Sequence, residues 1–443
     1  ARRQMSDAAF IAETTGDWCS MEDFLEHLAC RSASSWLLPY GSKQETIRFL
    51  NHFYPEYVSE VLTAADAICR NEFSLLDQDV CFPEGIDWHR DPVTDWHWPI
   101  RHRSSMDQYL YVQSSMADPI LLWELNRHQH FTTLGIAYWL TGDEHYLDTF
   151  CSQAQNWIET NPLQHGINWF YPLEISVRLI AWTAALQFFC DAPQFINGVG
   201  KVFVKSLWQQ INFLSSHLQI KREDVPNNHM IAELTGMIIV GTIFPEFRKA
   251  REWRENGMQF LIQQIAAQTH SDGVNKEQAT GYHRFVTELL VLVVVQSRHG
   301  KLPQNPSLEN ALEQMLDYIF FNLSPDGTAP LWGDSDYGRA LGLGQKRDFW
   351  DFRPMLSAGA VLYDRPDWKF LAGHFDVEAF WLLGRQGLDH WKQIKSQIPK
   401  KTSCAFPAAG QYIIRDSWTA ETDVAFFRCG PFGLGGEGHC AHA

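Results

Sequence analysis

Four short stretches carry side chains that can do chemistry. Trp123, Glu124, Arg127, His128 and His130 crowd together, and on a helix Trp123, Arg127 and His130 share one face at i, i+4 and i+7. A solvated polar face is the plain alternative, though it rarely mixes Trp with two His. Pro226-Asn227-Asn228-His229 precedes an apolar run, so Pro and Asn read as a helix entrance and cap. His229 is what capping does not require; amide and imidazole donors at a helix N-terminus suit a carboxylate. A polar loop from Asp272 to Thr280 then enters another apolar helix through Gly281, Tyr282, His283 and Arg284. The last stretch, Gly435 to His442, sets His439 and His442 among glycines, without a third ligand at a zinc-finger spacing.

The elements that must position these residues are mostly helices. Apolar residues recur at helical spacing over 116–140, over a following segment to about 159, and over 173–189, 202–218, 230–243, 258–267, 285–295 and 308–321. Breakers separate them: Gly142-Asp143, Asn161-Pro162, Pro193, Pro226, Asp272-Gly273, Gly300 and Asp326-Gly327. Consecutive helices with short links pack as antiparallel hairpins. Near residue 400 the character changes. Residues 410–416 and 423–428 alternate and are β-rich. Two strands do not make a stable sheet alone, so they are expected to open a β-rich domain that continues beyond residue 443. The expected class is mainly α, with an N-terminal helical segment over 1–50 and helical hairpins over 51–400. Residues 401–443 begin the β domain.

Composition narrows the partners. With 36 Lys and Arg against 52 Asp and Glu, the net charge is −16. That balance disfavours nucleic acid, which is bound through released phosphate counterions. It leaves room for a local basic cleft that holds a polyanion. Aromatic residues make 14 % of the chain, including 18 Trp. Most belong in a large core, but Trp88, Trp96 and Trp98 beside His89 and His97 also suit a cleft that stacks sugar rings. The nine Cys are scattered, and most of them read as buried thiols. No apolar run is long enough to span a bilayer.

Taken together the motifs are specific. Ile86 to Pro92, Trp123 to His130, Asn168-Trp169 followed by Leu173-Glu174 and Arg178, Asn227-Asn228-His229, and Gln278 to Arg284 resemble the heparinase II/III family of polysaccharide lyases, in order from about residue 85. Gly438 to His442 is similar to the start of that family's His-rich motif. The resemblance implies an incomplete (α/α) toroid followed by an antiparallel β-sheet domain. It also implies β-elimination on an anionic, uronic-acid-containing polysaccharide, whether heparan-sulfate-like or alginate-like. Asn228 and His229 match the pair that engages the uronate carboxylate. Tyr282 matches the tyrosine that moves the proton, and His442 matches a His that completes the clamp. Charge and stacking add Arg127, His130, Arg178, Glu174, His283 and Trp332 as substrate-binding candidates. His229, His283 and Arg284 are the nearby sources of positive charge for the Tyr282 phenolate. No cofactor follows from these residues; some subgroups bind a structural zinc through later ligands, so a metal stays open. A periplasmic or secreted setting is expected, with a cytoplasmic one left open, and oligomeric state is not indicated.

Two other classes fit parts of the pattern. A glycoside hydrolase on a similar helical fold would need two carboxylates across a cleft, and Asp334 or Asp336 with Glu124 or Glu174 would supply them. A binding protein of exopolysaccharide assembly would keep the fold without chemistry. The joint presence of Asn228, His229 and Tyr282 argues against that.

Overall fold

The computed structural model describes residues 5–39, 41–113, 117–219, 226–335, 337–344, 349–419 and 421–433. The chain divides into two compact units. One comprises Ala1–Leu37, Ser42–Gln219 and Gly236–Gly257; the other comprises Leu38–Gly41, Ile220–Thr235 and Met258–Ala443.

The first unit is built around helix Pro172–Phe189, which is buried along its whole length. A helix apolar on every face has to be wrapped, and helices His130–Thr141 and Gly200–Ser216 pack against it. Punctuation acts as expected: Gly142 takes φ 73° and ends one helix, and Asp143 caps Glu144–Thr160 by accepting the His145 N–H. Aromatic residues fill the interior, with Phe150 stacked on Phe189 and Trp182 on Phe203 at ring separations of 4.1 and 4.2 Å. Trp88 and Trp98 are buried too, and the Trp88 indole N–H donates to Asn156. Core packing, not ligand stacking, accounts for these two.

Two features depart from the sequence pattern. The single helix expected over 116–140 is two, Ile120–Asn126 and His130–Thr141. The break lies at His128, which adopts φ 57°. Its wholly buried ring accepts a hydrogen bond from Trp182 Nε1 at 2.8 Å and stacks on Phe131. That aromatic contact overrides helical continuity, so Trp123, Arg127 and His130 do not share one continuous face. The second departure is a short antiparallel hairpin, Glu72–Leu75 with Gln78–Cys81. Leu76 and Asp77 turn it with positive φ, as a tight hairpin requires.

The second unit runs as successive helical neighbours: Thr280–Arg298 on Pro306–Asn322, that helix on Arg353–Leu362, and the latter against Val377–Gln393. Asn305 caps the Pro306 helix by accepting the Leu308 N–H, with Pro at the first position. Strands Cys404–Phe406, Gln411–Arg415 and Val424–Arg428 form an antiparallel sheet in that order. The first of these strands was not anticipated. Strands Gln411–Arg415 and Val424–Arg428 pair Gln411 with Arg428, and strand Gln411–Arg415 joins the helices through Tyr318 Oη, which donates to Gln411. No helix among the described residues is long and apolar enough to cross a membrane.

Candidate active site

The entrances of helices Asn228–Ile243 and Thr280–Arg298 meet through one carboxylate. Glu277, 1 % exposed, accepts the Asn228 backbone N–H at 2.7 Å and Asn228 Nδ2 at 2.9 Å. Three residues after Glu277 the second helix begins, and its first turn carries Tyr282. The Tyr282 hydroxyl donates to Asp334 Oδ2 at 3.4 Å. Asp334 is exposed, so the buried ring of Tyr282 ends at an accessible carboxylate. His229 is half-buried beside Asn228, its N–H donated to Asn227 Oδ1.

The segment 330–335 is tied along this helix entrance. Thr280 N–H donates to the Trp332 carbonyl, Trp332 N–H donates back to Thr280 Oγ1, and Thr280 Oγ1 donates to the Pro330 carbonyl. Gly281 is needed here because a Cβ on it would collide with Ser335. The half-buried Trp332 faces the Arg428 guanidinium, 5.7 Å from its ring centroid. Arg428 Nη2 also donates to the Gln278 carbonyl and to Gln278 Oε1, which Gln411 Nε2 reaches as well. Gln278 holds φ 61° within this set of bonds. A non-glycine residue in the left-handed region costs about 1–3 kcal/mol and persists where its surroundings dictate it. Paired strand residues thus brace the loop that leads to Tyr282.

Other expected site residues serve the fold. Consecutive helix residues point about 100° apart, so Tyr282, His283 and Arg284 face three directions. The buried His283 accepts the Asn275 N–H at Nδ1 and donates from Nε2 to the Met315 carbonyl. Arg284 lies between Phe349 and Phe352 and pairs with Glu288 at 2.9 Å. Both therefore meet protein partners, where the sequence had suggested charge beside the Tyr282 hydroxyl and, for His283, a subsite wall. In the first unit, Arg127 pairs with both Glu124 and Glu174, at 2.7 and 2.8 Å, below the surface. Arg178 is wholly buried with its donors on Gln210, Asn126 and Asn168. His130 bonds Gln153, and burial pulls it down to about 3. These are internal partners, which corrects the assignment of Arg127, His130, Arg178 and Glu174 to a substrate wall. The same pairing pins Glu124 and Glu174, the carboxylates a hydrolase would need beside Asp334. His439, His442 and Asp336 lie outside the described residues. Among those described, no three His, Cys, Asp or Glu group to hold a metal.

Glu277, Asn275, Gln278 and Arg428 were not singled out from sequence as site residues. The available signal was an acidic residue inside a loop whose neighbours, Val274 and Ala279, are apolar.

Burial pulls His283 down to about 4 from its ordinary 6.5, consistent with a neutral ring that accepts at Nδ1. Between those values the unfolded chain binds a proton that the folded chain refuses. Stability is therefore lost as pH falls below 6.5, and this loss levels off near 4. The loss from this one group is about 3 kcal/mol, and His128 and His130 act in the same direction. Denaturant unfolding across that window should show the decline, and His283→Gln should flatten it. An unchanged slope in the variant would exclude His283 as a source.

A family model for the heparinase II/III N-terminus matches residues 23–351. The chain belongs to the heparinase II/III family. The match starts earlier than the resemblance read from about residue 85. A heparin-sulfate lyase of Pedobacter heparinus is 27 % identical over 321 residues, covering 70 % of this chain and 43 % of that protein. One of Bacteroides thetaiotaomicron is 24 % identical over 314 residues, 68 % of this chain and 41 % of that protein. A crystal structure of heparinase III superposes with a TM-score of 0.65 at 19 % identity, over 93 % of this chain and 57 % of that one. A heparan sulfate lyase structure from Pedobacter heparinus gives 0.57 at 21 %, over 93 % and 56 %. The fold is therefore that of the heparinase III helical toroid, followed by a small antiparallel sheet, as the sequence led one to expect. The chain spans about half the length of the relatives it matches.

Proposed function

We propose that this heparinase II/III chain carries the proton-transfer machinery of a polysaccharide lyase acting on a heparan-sulfate-type glycosaminoglycan. The observation that carries the reading is the junction of Asn228, through Glu277, with the helix entrance that presents Tyr282 and Asp334. The names of the curated relatives favour a heparin-type polymer over alginate.

The chemistry explains the residue types. The uronate C5–H is weakly acidic because its loss places charge beside a carboxylate that is already anionic. Fixed donors on that carboxylate lower the barrier, a role that falls to Asn228 and His229. Once its own proton has left to solvent, the Tyr282 phenolate takes the C5 proton, the C5–H electrons form the C4–C5 double bond, and the C4–O bond breaks. The departing oxygen takes a proton, which Tyr282 can return. Asp334 orients the phenol by accepting its hydrogen bond. Trp332, with Arg428 against it, is the remaining wall candidate, and His442 keeps its proposed place in the clamp. The strands from Cys404 are read as the opening of the β domain, with residues 51–400 as the helical domain.

The test is a substrate screen with the protein containing this chain, on heparan sulfate, heparin, hyaluronan, chondroitin and alginate. The expected result is ultraviolet absorbance from an unsaturated uronate, greatest on heparan sulfate. New reducing ends without that absorbance would mean hydrolysis. Asp334→Asn keeps an acceptor for the phenol and should retain much of the turnover, whereas a hydrolase using Asp334 would lose nearly all of it.

A further inference from the structure

We propose that Glu277 is a positioning residue that fixes which end of the Asn228 carboxamide meets the ligand. This rests on the reading that Asn228 engages the substrate carboxylate. Both Glu277 oxygens accept N–H hydrogen bonds from Asn228. With Oε1 on the Asn228 backbone N–H and Oε2 on its side chain, the amide must turn Nδ2 inward. A flipped amide would set Oδ1 against Oε2, two acceptors in contact at a site where Asn228 is 3 % exposed. Asn228 is then left with one Nδ2 hydrogen and Oδ1, in fixed order, for whatever binds. An unheld amide would present either end, and half of its orientations would set oxygen where a uronate needs a donor.

Glu277 can fix the amide because it is itself fixed. Its backbone N–H donates to Asn275 Oδ1 at 2.8 Å. Asn275 N–H donates to His283 Nδ1 at 3.2 Å, and His283 Nε2 donates to the Met315 carbonyl at 3.1 Å. On the other side, Gln278 is held by Arg428 and Gln411 from the sheet. A line of buried hydrogen bonds therefore runs from helix Pro306–Asn322 to the Asn228 amide. Asn275 is held in this line through its backbone N–H and its Oδ1. It also gives His283 a use that substrate contact does not.

Glu277→Gln separates this role from general support, since it keeps size and burial. If the new amide oxygen takes the Asn228 backbone N–H, its NH2 faces the Asn228 side chain and favours the flipped orientation. The first measurement needs no substrate: the Asn228 side-chain amide proton resonances of the chain, assigned by their loss in Asn228→Asp. One hydrogen should be slow to exchange and shifted downfield in the native chain, and it should move in Glu277→Gln. Insensitivity of that resonance to Glu277 would overturn the proposal. The second measurement is a double-mutant cycle on unsaturated-uronate production by the full protein. Glu277→Gln alone should lower kcat and kcat/KM together by about tenfold, the size of coupling seen between groups in contact. Added to Asn228→Ala, it should cost less than about twofold. Independent, multiplicative losses would show that Glu277 does not act through Asn228. Glu277→Asp keeps an acceptor-only group and should recover part of the loss; if Glu277→Gln does not fold, the cycle is run with Glu277→Asp. An amide that responds to Glu277 in a protein making no unsaturated product would sink the lyase reading and leave the positioning role standing.

Discussion

Replacing Tyr282 with Phe is expected to lower turnover at least about a hundredfold, the lower end for removing a general acid–base group, while the protein stays folded. The substitution removes one oxygen. The ring is 7 % exposed and packed at the first turn of helix Thr280–Arg298, and Phe preserves that packing. The hydrogen bond to Asp334 is long, at 3.4 Å, and ends on an exposed carboxylate, so the loss of that bond by itself changes stability little. A group that moves the proton only in the reaction should leave KM nearly unchanged and lower kcat and kcat/KM alike. The measurements are unsaturated-uronate production and the unfolding transition, side by side. Near-native turnover with an unchanged transition would assign the proton transfer to another residue. A lowered transition would instead show that the hydroxyl is structural.

The helical frame was legible because its cues are local. The apolar period, the Pro residues at first helical positions and the Gly142-Asp143 break act over a few residues, and the helices follow them. Tyr282 and Asn228 stood out for the same reason, each at the point where a polar run enters an apolar helix. Three-dimensional neighbours were not legible. The His128 break depends on Trp182, 54 positions away. The Asn228–Glu277 bond spans 49 positions, and the Arg428–Gln278 bond spans 150. Spacing along one helix shows which residues share a face, but not whether that face meets solvent or another helix. Charge was the most misleading cue. Arg127, Arg178, His130 and His283 have the chemistry of an anion site, and each is turned inward onto a protein acceptor. A polar side chain in an all-round apolar helix is better read first as a question about its buried partner.

Arg178 makes the sharpest test of that point. Its side chain is 0 % exposed on the helix buried throughout its length. Nε donates to Gln210 Oε1 at 2.7 Å, and Nη1 and Nη2 donate to the carbonyls of Asn126 and Asn168 at 3.2 Å. The guanidinium lies over Trp157, 4.6 Å from the ring centroid. Burial lowers it to about 9, with Glu174 opposing, so it is still charged at neutral pH. Arg178→Ala removes the cation, opens a cavity against Trp157 and leaves three acceptors without donors. The expected cost is about 3–5 kcal/mol, the range for breaking a buried charged contact by removing one side. The denaturant midpoint of the first unit should fall accordingly. Arg178→Lys should recover little, because one ammonium on a flexible stem cannot reproduce a planar fork aimed at three acceptors. A residue lining a substrate subsite behaves in the opposite way: its loss raises KM and leaves the unfolding transition where it was. An Arg178→Ala protein with native stability and weakened polymer binding would return Arg178 to the subsite wall that its charge first suggested.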